Sequence, residues 1–242
     1  MKKAIELSAL LLAAFMLLPA CKVKSEPRVL IFAKTKGFYH ESIPKGMAIL
    51  MDLCERNMIP ADTTRDASVF TIDNLKRYNV VVFLNTTGDV LDSLQQEAFK
   101  QYIHSGGGFL GIHAATDTEY DWPWYNLLVG AYFLSHPQQQ EAVIRVVEKG
   151  NPATSMLPDN WKRKDEWYNF RNINPDIRVL AYLDETSYKG GENGKEHPFI
   201  WCHEFEGGRA FYTGCGHRDD NYDEPLMQQH LLGAIKWAGK LK

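Results

Sequence analysis

Gly106-Gly107-Gly108-Phe109-Leu110-Gly111-Ile112-His113-Ala114-Ala115 is the stretch on which the fold turns. Three glycines end a helical pattern over residues 91–105, which begins near Asp89 or Asp92, and a strand-like apolar run starts at once. Two more continuous apolar runs stand upstream, residues 28–33 (RVLIFA) and 79–85 (NVVVFLN). Such runs fit strands buried on both faces of a parallel sheet. Between them Ile43 to Asn57 reads as a helix, with Ile43, Met47, Leu50, Met51 and Cys54 on one stripe and Ser42 as N-cap. Residues 60–65 can hold a short strand. Strand and helix alternating at this pitch predict an α/β fold with a parallel sheet.

Past residue 120 the pattern loosens. Residues 122–133 (WPWYNLLVGAYF) suit a helix with an aromatic cluster, and residues 142–148 alternate like a strand. Residues 154–175 read as polar, aromatic and loop-rich. A strand is expected over 178–183, and a hairpin from 198–205 and 209–216 around Glu206-Gly207-Gly208. Pro225 to Leu241 predicts a closing amphipathic helix. No repeat or linker divides residues 28–242, which are expected to form one domain.

The amino terminus is set apart from this plan. Lys2 and Lys3 precede an apolar, uncharged run over residues 7–20, the layout of a secretory signal. As a helix that run spans about 21 Å, short of the ~30 Å hydrocarbon core. It ends Leu18-Pro19-Ala20-Cys21, which resembles a bacterial lipobox. Residues 1–20 are therefore expected to be a signal peptide, and residues 21–27 a tether lipidated on Cys21 that anchors the protein to a membrane. The expected address is the bacterial cell envelope, facing the periplasm.

The chain has 242 residues, 45% hydrophobic and 24% charged, with a formal net charge of −3. That allows a large core and gives no basic excess to bind nucleic acid through phosphates. Of four cysteines none is spaced C-x-x-C, and Cys54, Cys202 and Cys215 remain beyond the lipobox.

In an open parallel sheet, ligands bind beyond the carboxyl ends of the strands. His40 follows the first strand, His113 ends FLGIH, and His217 ends RAFYTGCGH, so distant segments offer imidazoles to one sheet edge. His136, His197 and His203 are further candidates, while His104 and His230 fall on expected helix surfaces. Asp117 lies four residues past His113, and Asp165-Glu166-Trp167-Tyr168 sits in the polar aromatic segment. Imidazole with carboxylate suits a divalent metal with mixed N/O ligands or general acid–base chemistry. The string Gly111-Ile112-His113-Ala114-Ala115 imitates a nucleophile elbow but carries histidine at the nucleophile and alanine at the second glycine, which disfavours a serine or cysteine hydrolase of that type. Nor do the glycines match a P-loop. Tyr39, Tyr120, Trp122, Trp124, Tyr125, Trp167, Tyr168 and Phe170 supply flat rings suited to sugar faces or to packing.

GGGFLGIHAATDT, with FYHES upstream and SHP, DEWYNF, PFIWCHE and GRAFYTGCGH downstream, resembles the ThuA-like (trehalose-utilisation) family over residues 28–239. The resemblance implies a flavodoxin-like, class I glutamine amidotransferase-like fold: a parallel-sheet sandwich with helices on both faces and an antiparallel hairpin near the C-terminus. It implies carbohydrate catabolism, with glycosides or 3-keto-sugars as substrates. Carried over motif by motif, the pocket would hold His40, His113, Asp117, His136, Glu166, Tyr168 and His217. On this basis His113, Glu166 and His217 are the expected catalytic groups, and His40, Asp117 and Tyr168 the substrate-binding ones. A zinc or manganese ion could sit on His40, His113, His136 and His217. The expected activity is an isomerase, lyase or hydrolase; the alternative is a non-catalytic carbohydrate-binding lipoprotein serving a partner enzyme. Homo-oligomerisation is compatible with either.

Overall fold

The computed structural model describes residues 27–242. The expected signal peptide, the lipidation site Cys21 and the tether up to residue 26 lie outside the described residues. In chain order the elements are β1 (Val29–Phe32), α1 (Ile43–Arg56), β2 (Ala61–Thr64), α2 (Ile72–Leu75), β3 (Val80–Leu84), α3 (Ser93–His104), β4 (Gly108–Ile112), α4 (Pro123–Val129), β5 (Tyr132–Ser135), β6 (Gln140–Val146), β7 (Asn160–Asp165), β8 (Asn169–Arg171), β9 (Arg178–Asp184), β10 (His197–Phe205), β11 (Gly208–Thr213) and α5 (Pro225–Ala238).

Nine strands form one sheet in the order β2-β1-β3-β4-β11-β10-β9-β6-β7. From β2 to β11 every neighbouring pair is parallel. From β11 to β7 every pair is antiparallel. This is the expected α/β fold with its hairpin, extended by an antiparallel wing. The apolar runs explain the order: every residue of β1, β3 and β4 is buried, as central strands require, whereas β2 (ADTT) is polar and takes the edge. Helices α1 and α5 pack on each other and on the parallel strands, while α2 packs on α3. Gly108 opens β4 because a side chain there would strike the Ala238 carbonyl at 2.5 Å.

Several local expectations are corrected. Ser42 stands at the N-cap of α1 as expected, but with helical dihedrals and no side-chain cap bond; its hydroxyl donates instead to the Gly216 carbonyl at 3.1 Å. Of the two expected starts, Asp92 begins α3, in a capping box with Gln95. Residues 122–133 do not form one helix: α4 stops at Val129, where Gly130 takes φ 98°, and the chain continues as β5. The stretch 154–175 contains two strands, β7 and β8. β7 alternates Trp161, Arg163 and Asp165 inward with Asn160, Lys162 and Lys164 outward. Its period of two was hidden because two of the three inward residues are charged. His230 is fully buried rather than on a helix surface, with Nδ1 donating to the Ala153 carbonyl at 2.7 Å.

Candidate functional site

His113 is the first residue beyond β4 and has φ 47°. This left-handed conformation is sparse for a residue with a Cβ, and at a strand-to-helix turn it gives the geometry of an elbow. The side chain presented there is an imidazole. The carbonyl of Gly214 can only accept, so it holds the proton on His113 Nδ1 at 3.0 Å, and the Tyr212 hydroxyl donates to the His113 carbonyl at 2.8 Å. His113 Nε2 is thereby turned outward as a lone pair in the neutral ring.

Glu166 reaches this point from the edge strand β7 of the antiparallel wing. It follows β7, and the buried carboxylate of Asp165 sets its position. Asp165 Oδ1 accepts from the Glu166 amide at 3.0 Å and the Arg218 amide at 3.4 Å; Oδ2 accepts from the Gly216 amide at 3.0 Å. The strand that carries Glu166 is thus bound to the loop that carries His217. Gly216 in that loop has φ 118°, and a Cβ there would meet the Tyr222 hydroxyl at 2.7 Å. Asn85, at the end of β3, closes the arrangement by donating to Ser42 Oγ and to the Gly216 carbonyl.

The result is a compact cluster. His113 Nε2 lies 3.4 Å from Glu166 Oε2 and 3.3 Å from His217 Nδ1, and His217 Nδ1 lies 3.0 Å from Glu166 Oε2. His40, 2% exposed, stands with its ring 5.0 Å from that of His113 and 5.1 Å from that of His217. Its Nε2 is 3.5 Å from the Tyr168 hydroxyl, and its Nδ1 is buried with no hydrogen-bond partner among the described residues. His40, His113, Glu166 and His217 each offer a donor atom, and the four lie within 4.8 Å of one another. These four could hold a metal. His136 stands outside that set: it is partly exposed, and its Nδ1 lies 3.3 Å from the other carboxylate oxygen, Glu166 Oε1.

Electrostatics follow from burial and crowding. Burial pushes the Glu166 carboxyl upward, but the imidazoles of His113 and His217 beside it outweigh burial and hold the group well below the usual range. Burial, then repulsion from His113 and His217, lowers His40 to about 2. Burial raises Asp117 against the opposing bond from the Tyr120 hydroxyl, which Asp117 accepts at 2.6 Å. Asp117 therefore borders the cluster without joining its donors. Tyr168 is buried, its ring 4.1 Å from His113. Its backbone carbonyl accepts from His197 Nε2 at 2.9 Å, so His197 supports the site from behind. His203 is turned to the Leu127 carbonyl, and His104 pairs with Glu206 at the surface. Neither meets the cluster.

Most of the aromatics belong to the core: Tyr125, Trp167, Tyr168 and Phe170 are buried, and Trp122 stacks on Trp124. Phe38, which sequence reasoning passed over, is 64% exposed with its ring 4.9 Å from His40. Tyr39 is exposed beside it. Asn85, Gln139 and Arg218 were also missed. Gln139 Nε2 lies 2.7 Å from His217 Nε2, and Gln139 Oε1 accepts from Arg218 at 3.1 Å. Asn85 alone carried a signal, a polar residue closing a wholly apolar strand. A separate cleft of about 800 Å³ lies at the amino ends of the parallel strands, lined by residues that include Asn57, Tyr78, Asn79 and Gly107. Among the described residues that line it there is no histidine, aspartate or glutamate.

The ThuA family model, described as trehalose utilisation, matches residues 28–238. A ThuA-like protein from Bacteroides uniformis superposes with a TM-score of 0.76 at 25% identity, covering 91% of this chain and 95% of that one. A second, from Parabacteroides merdae, gives 0.73 at 22% identity over 88% and 90% of the two chains. A β-galactosidase from Bacillus circulans gives 0.60 at 13% identity, with 90% of this chain matched by 32% of that one, a likeness of fold alone. No curated protein matches the chain by sequence.

Proposed function

The chain belongs to the ThuA family of trehalose utilisation, and from that premise we propose that it acts on a glycoside or 3-keto-sugar at the Glu166–histidine cluster. Family membership puts the protein in carbohydrate metabolism. The observation that carries the finer reading is the buried Glu166 carboxylate, kept ionised by His113 and His217 at the carboxyl ends of the parallel strands.

A ketone acidifies the hydrogen on the neighbouring carbon. Glu166 takes that proton, and the electron pair moves onto the ketone oxygen as an enediolate, which His217 stabilises by hydrogen bonding. Return of the proton to the other face or carbon gives isomerisation. Collapse of the enediolate with breakage of the glycosidic C–O bond gives elimination, and His217, at the rim of the cluster, supplies the proton to the departing oxygen. Hydrolysis by two carboxylates has less support, because only one of the four converging donors is a carboxylate.

The test is turnover of 3-keto-glycosides, followed by mass spectrometry, with His113→Ala and His217→Ala beside the parent protein. Both variants are expected to lose turnover; full activity in both sinks this mechanism. Sugar binding without product under any condition favours the alternative, a binding lipoprotein that uses the exposed rings of Phe38 and Tyr39. The membrane anchor is part of the proposal: labelled palmitate should enter the full chain and be lost in Cys21→Ser.

A further inference from the structure

We infer that His40, His113, Glu166 and His217 form a divalent metal centre of the zinc type. The inference concerns the same cluster but does not depend on its acting on sugars.

Distances carry the argument. A tetrahedral ion with bonds of about 2.0–2.1 Å places its ligand atoms roughly 3.3 Å apart. The three donor pairs among His113 Nε2, His217 Nδ1 and Glu166 Oε2 measure 3.0, 3.3 and 3.4 Å. The rings agree independently. Adding the distance from nitrogen to ring centre, three imidazoles on one tetrahedral ion have centres about 5.2 Å apart. The centres of His40, His113 and His217 are 5.0, 5.1 and 5.2 Å apart. Three rings from loops more than 70 residues apart in sequence share one spacing, and that spacing is the one a small ion imposes.

The proton inventory points the same way. His113 Nδ1 is committed to the Gly214 carbonyl, so in the neutral ring Nε2 is a lone pair aimed at a carboxylate oxygen and at another ring nitrogen. Two acceptors facing each other at 3.4 Å repel unless a cation lies between them. His40 adds a buried nitrogen, Nδ1, with no hydrogen-bond partner among the described residues. Buried polar atoms are ordinarily satisfied, and an unsatisfied one on a residue of this donor cluster fits a missing partner. The supports that metal sites need are also present: a backbone carbonyl fixes the His113 tautomer, and Asp165 holds the backbone at Glu166 and Gly216. A set of three imidazoles and one carboxylate suits a borderline first-row ion, and the tetrahedral spacing selects zinc among them. Bound through Oε2, Glu166 keeps Oε1 toward His136 and free to act as the base.

One consequence is specific. An ion on His217 Nδ1 moves the ring proton to Nε2, which now faces the Gln139 amide nitrogen at 2.7 Å. Gln139 must then turn its carbonyl inward. A carboxylate at that position accepts from Nε2 without turning, and an ammonium opposes it.

The test uses the full chain, stripped with a chelator and titrated with zinc chloride in a calorimeter, with metal content measured by elemental analysis. One zinc per chain is expected. His113→Ala and Glu166→Gln should weaken binding by more than about 100-fold, since direct ligands matter more than the outer residues whose loss costs 10- to 100-fold. Cobalt in place of zinc should give the intense visible bands of tetrahedral coordination. Should the ligand variants fail to fold, the exposed Gln139 decides: Gln139→Glu should tighten zinc binding several-fold and Gln139→Lys weaken it about 10-fold. No stoichiometric zinc, binding indifferent to all four variants, or binding of manganese alone each overturns the inference. No sugar enters these measurements. Zinc without turnover therefore sinks only the catalytic proposal, and turnover without zinc sinks only the metal.

Discussion

The backbone amide of Gly216 donates to Asp165 Oδ2 at 3.0 Å, so the residue that precedes Glu166 in sequence holds the loop that carries His217. Glu166 arrives from the edge strand of the antiparallel wing and His217 from the parallel half of the sheet. A single buried carboxylate joins the two.

Asp165→Ala is accordingly expected to act twice. Three backbone amides lose their acceptor, two of them buried, at a cost of about 1–3 kcal/mol for such a group. Unfolding in urea should show a loss of about 3 kcal/mol. Turnover, measured under conditions where the variant is folded, should fall in kcat because Glu166 and His217 drift apart. Loss of stability with unchanged kcat would mean that Asp165 supports the fold without positioning the site.

The parallel half of this architecture was legible because its strands are apolar throughout. β1, β3 and β4 announce themselves as runs that only a sheet covered on both faces can hide, and His40, His113 and His217 follow from the rule that such sheets bind ligands past their carboxyl ends. The wing was not legible in the same way. β7 turns Arg163 and Asp165 inward, where Arg163 lies over the Trp161 ring and Asp165 meets three amides, so its inward face reads as polar. The meeting of Glu166 with His113 across the sheet depends on those tertiary bonds and on no local pattern. Burial of His230 was missed for a related reason: its partner, the Ala153 carbonyl, belongs to a segment 77 residues away.

His230 yields a stability prediction with a definite sign. Burial lowers it from 6.5 to about 4, with the hydrogen bond to Ala153 opposing. Between those values the unfolded chain binds a proton that the fold excludes, so stability is full above about pH 6.5 and falls as pH drops toward 4. The shift corresponds to about 3 kcal/mol. His40, lowered to about 2, acts in the same direction and continues further into acid. Urea unfolding of the metal-free protein between pH 7 and 4 should therefore show a steep decline, and His230→Gln should remove its share of it. An identical slope in the variant would show that His230 does not titrate as its burial demands.

The thiols should be inert. Cys54, Cys202 and Cys215 are buried and form no disulfide among the described residues, and burial raises Cys54 to about 11 and Cys215 to about 12. Burial also raises Cys202, against the opposing contact from Arg178. At pH 8 almost no thiolate forms, and the thiolate is the reactive species. Iodoacetamide is expected to leave turnover unchanged and to label none of the three in the native protein. Rapid inactivation tracked to Cys202 or Cys215 would revive a covalent thiol mechanism.

Phe38 offers the sharpest separation of binding from chemistry. The residue is 64% exposed and its ring stands edge-on to His40 at 4.9 Å, where a sugar face entering the cluster would meet it. The loop that presents it is anchored from below, since Thr87 Oγ1 donates to the Phe38 carbonyl at 2.8 Å and the Gly37 amide donates to Thr87. The backbone should therefore survive removal of the ring. Loss of an aromatic contact of about 1 kcal/mol beyond its buried area should raise KM for a glycoside roughly five- to tenfold in Phe38→Ala. The proton-transfer groups are untouched, so kcat should stay within about twofold, and Phe38→Trp should restore the parent KM. A fall in kcat at constant KM would move Phe38 from sugar recognition to organisation of the His40 ring.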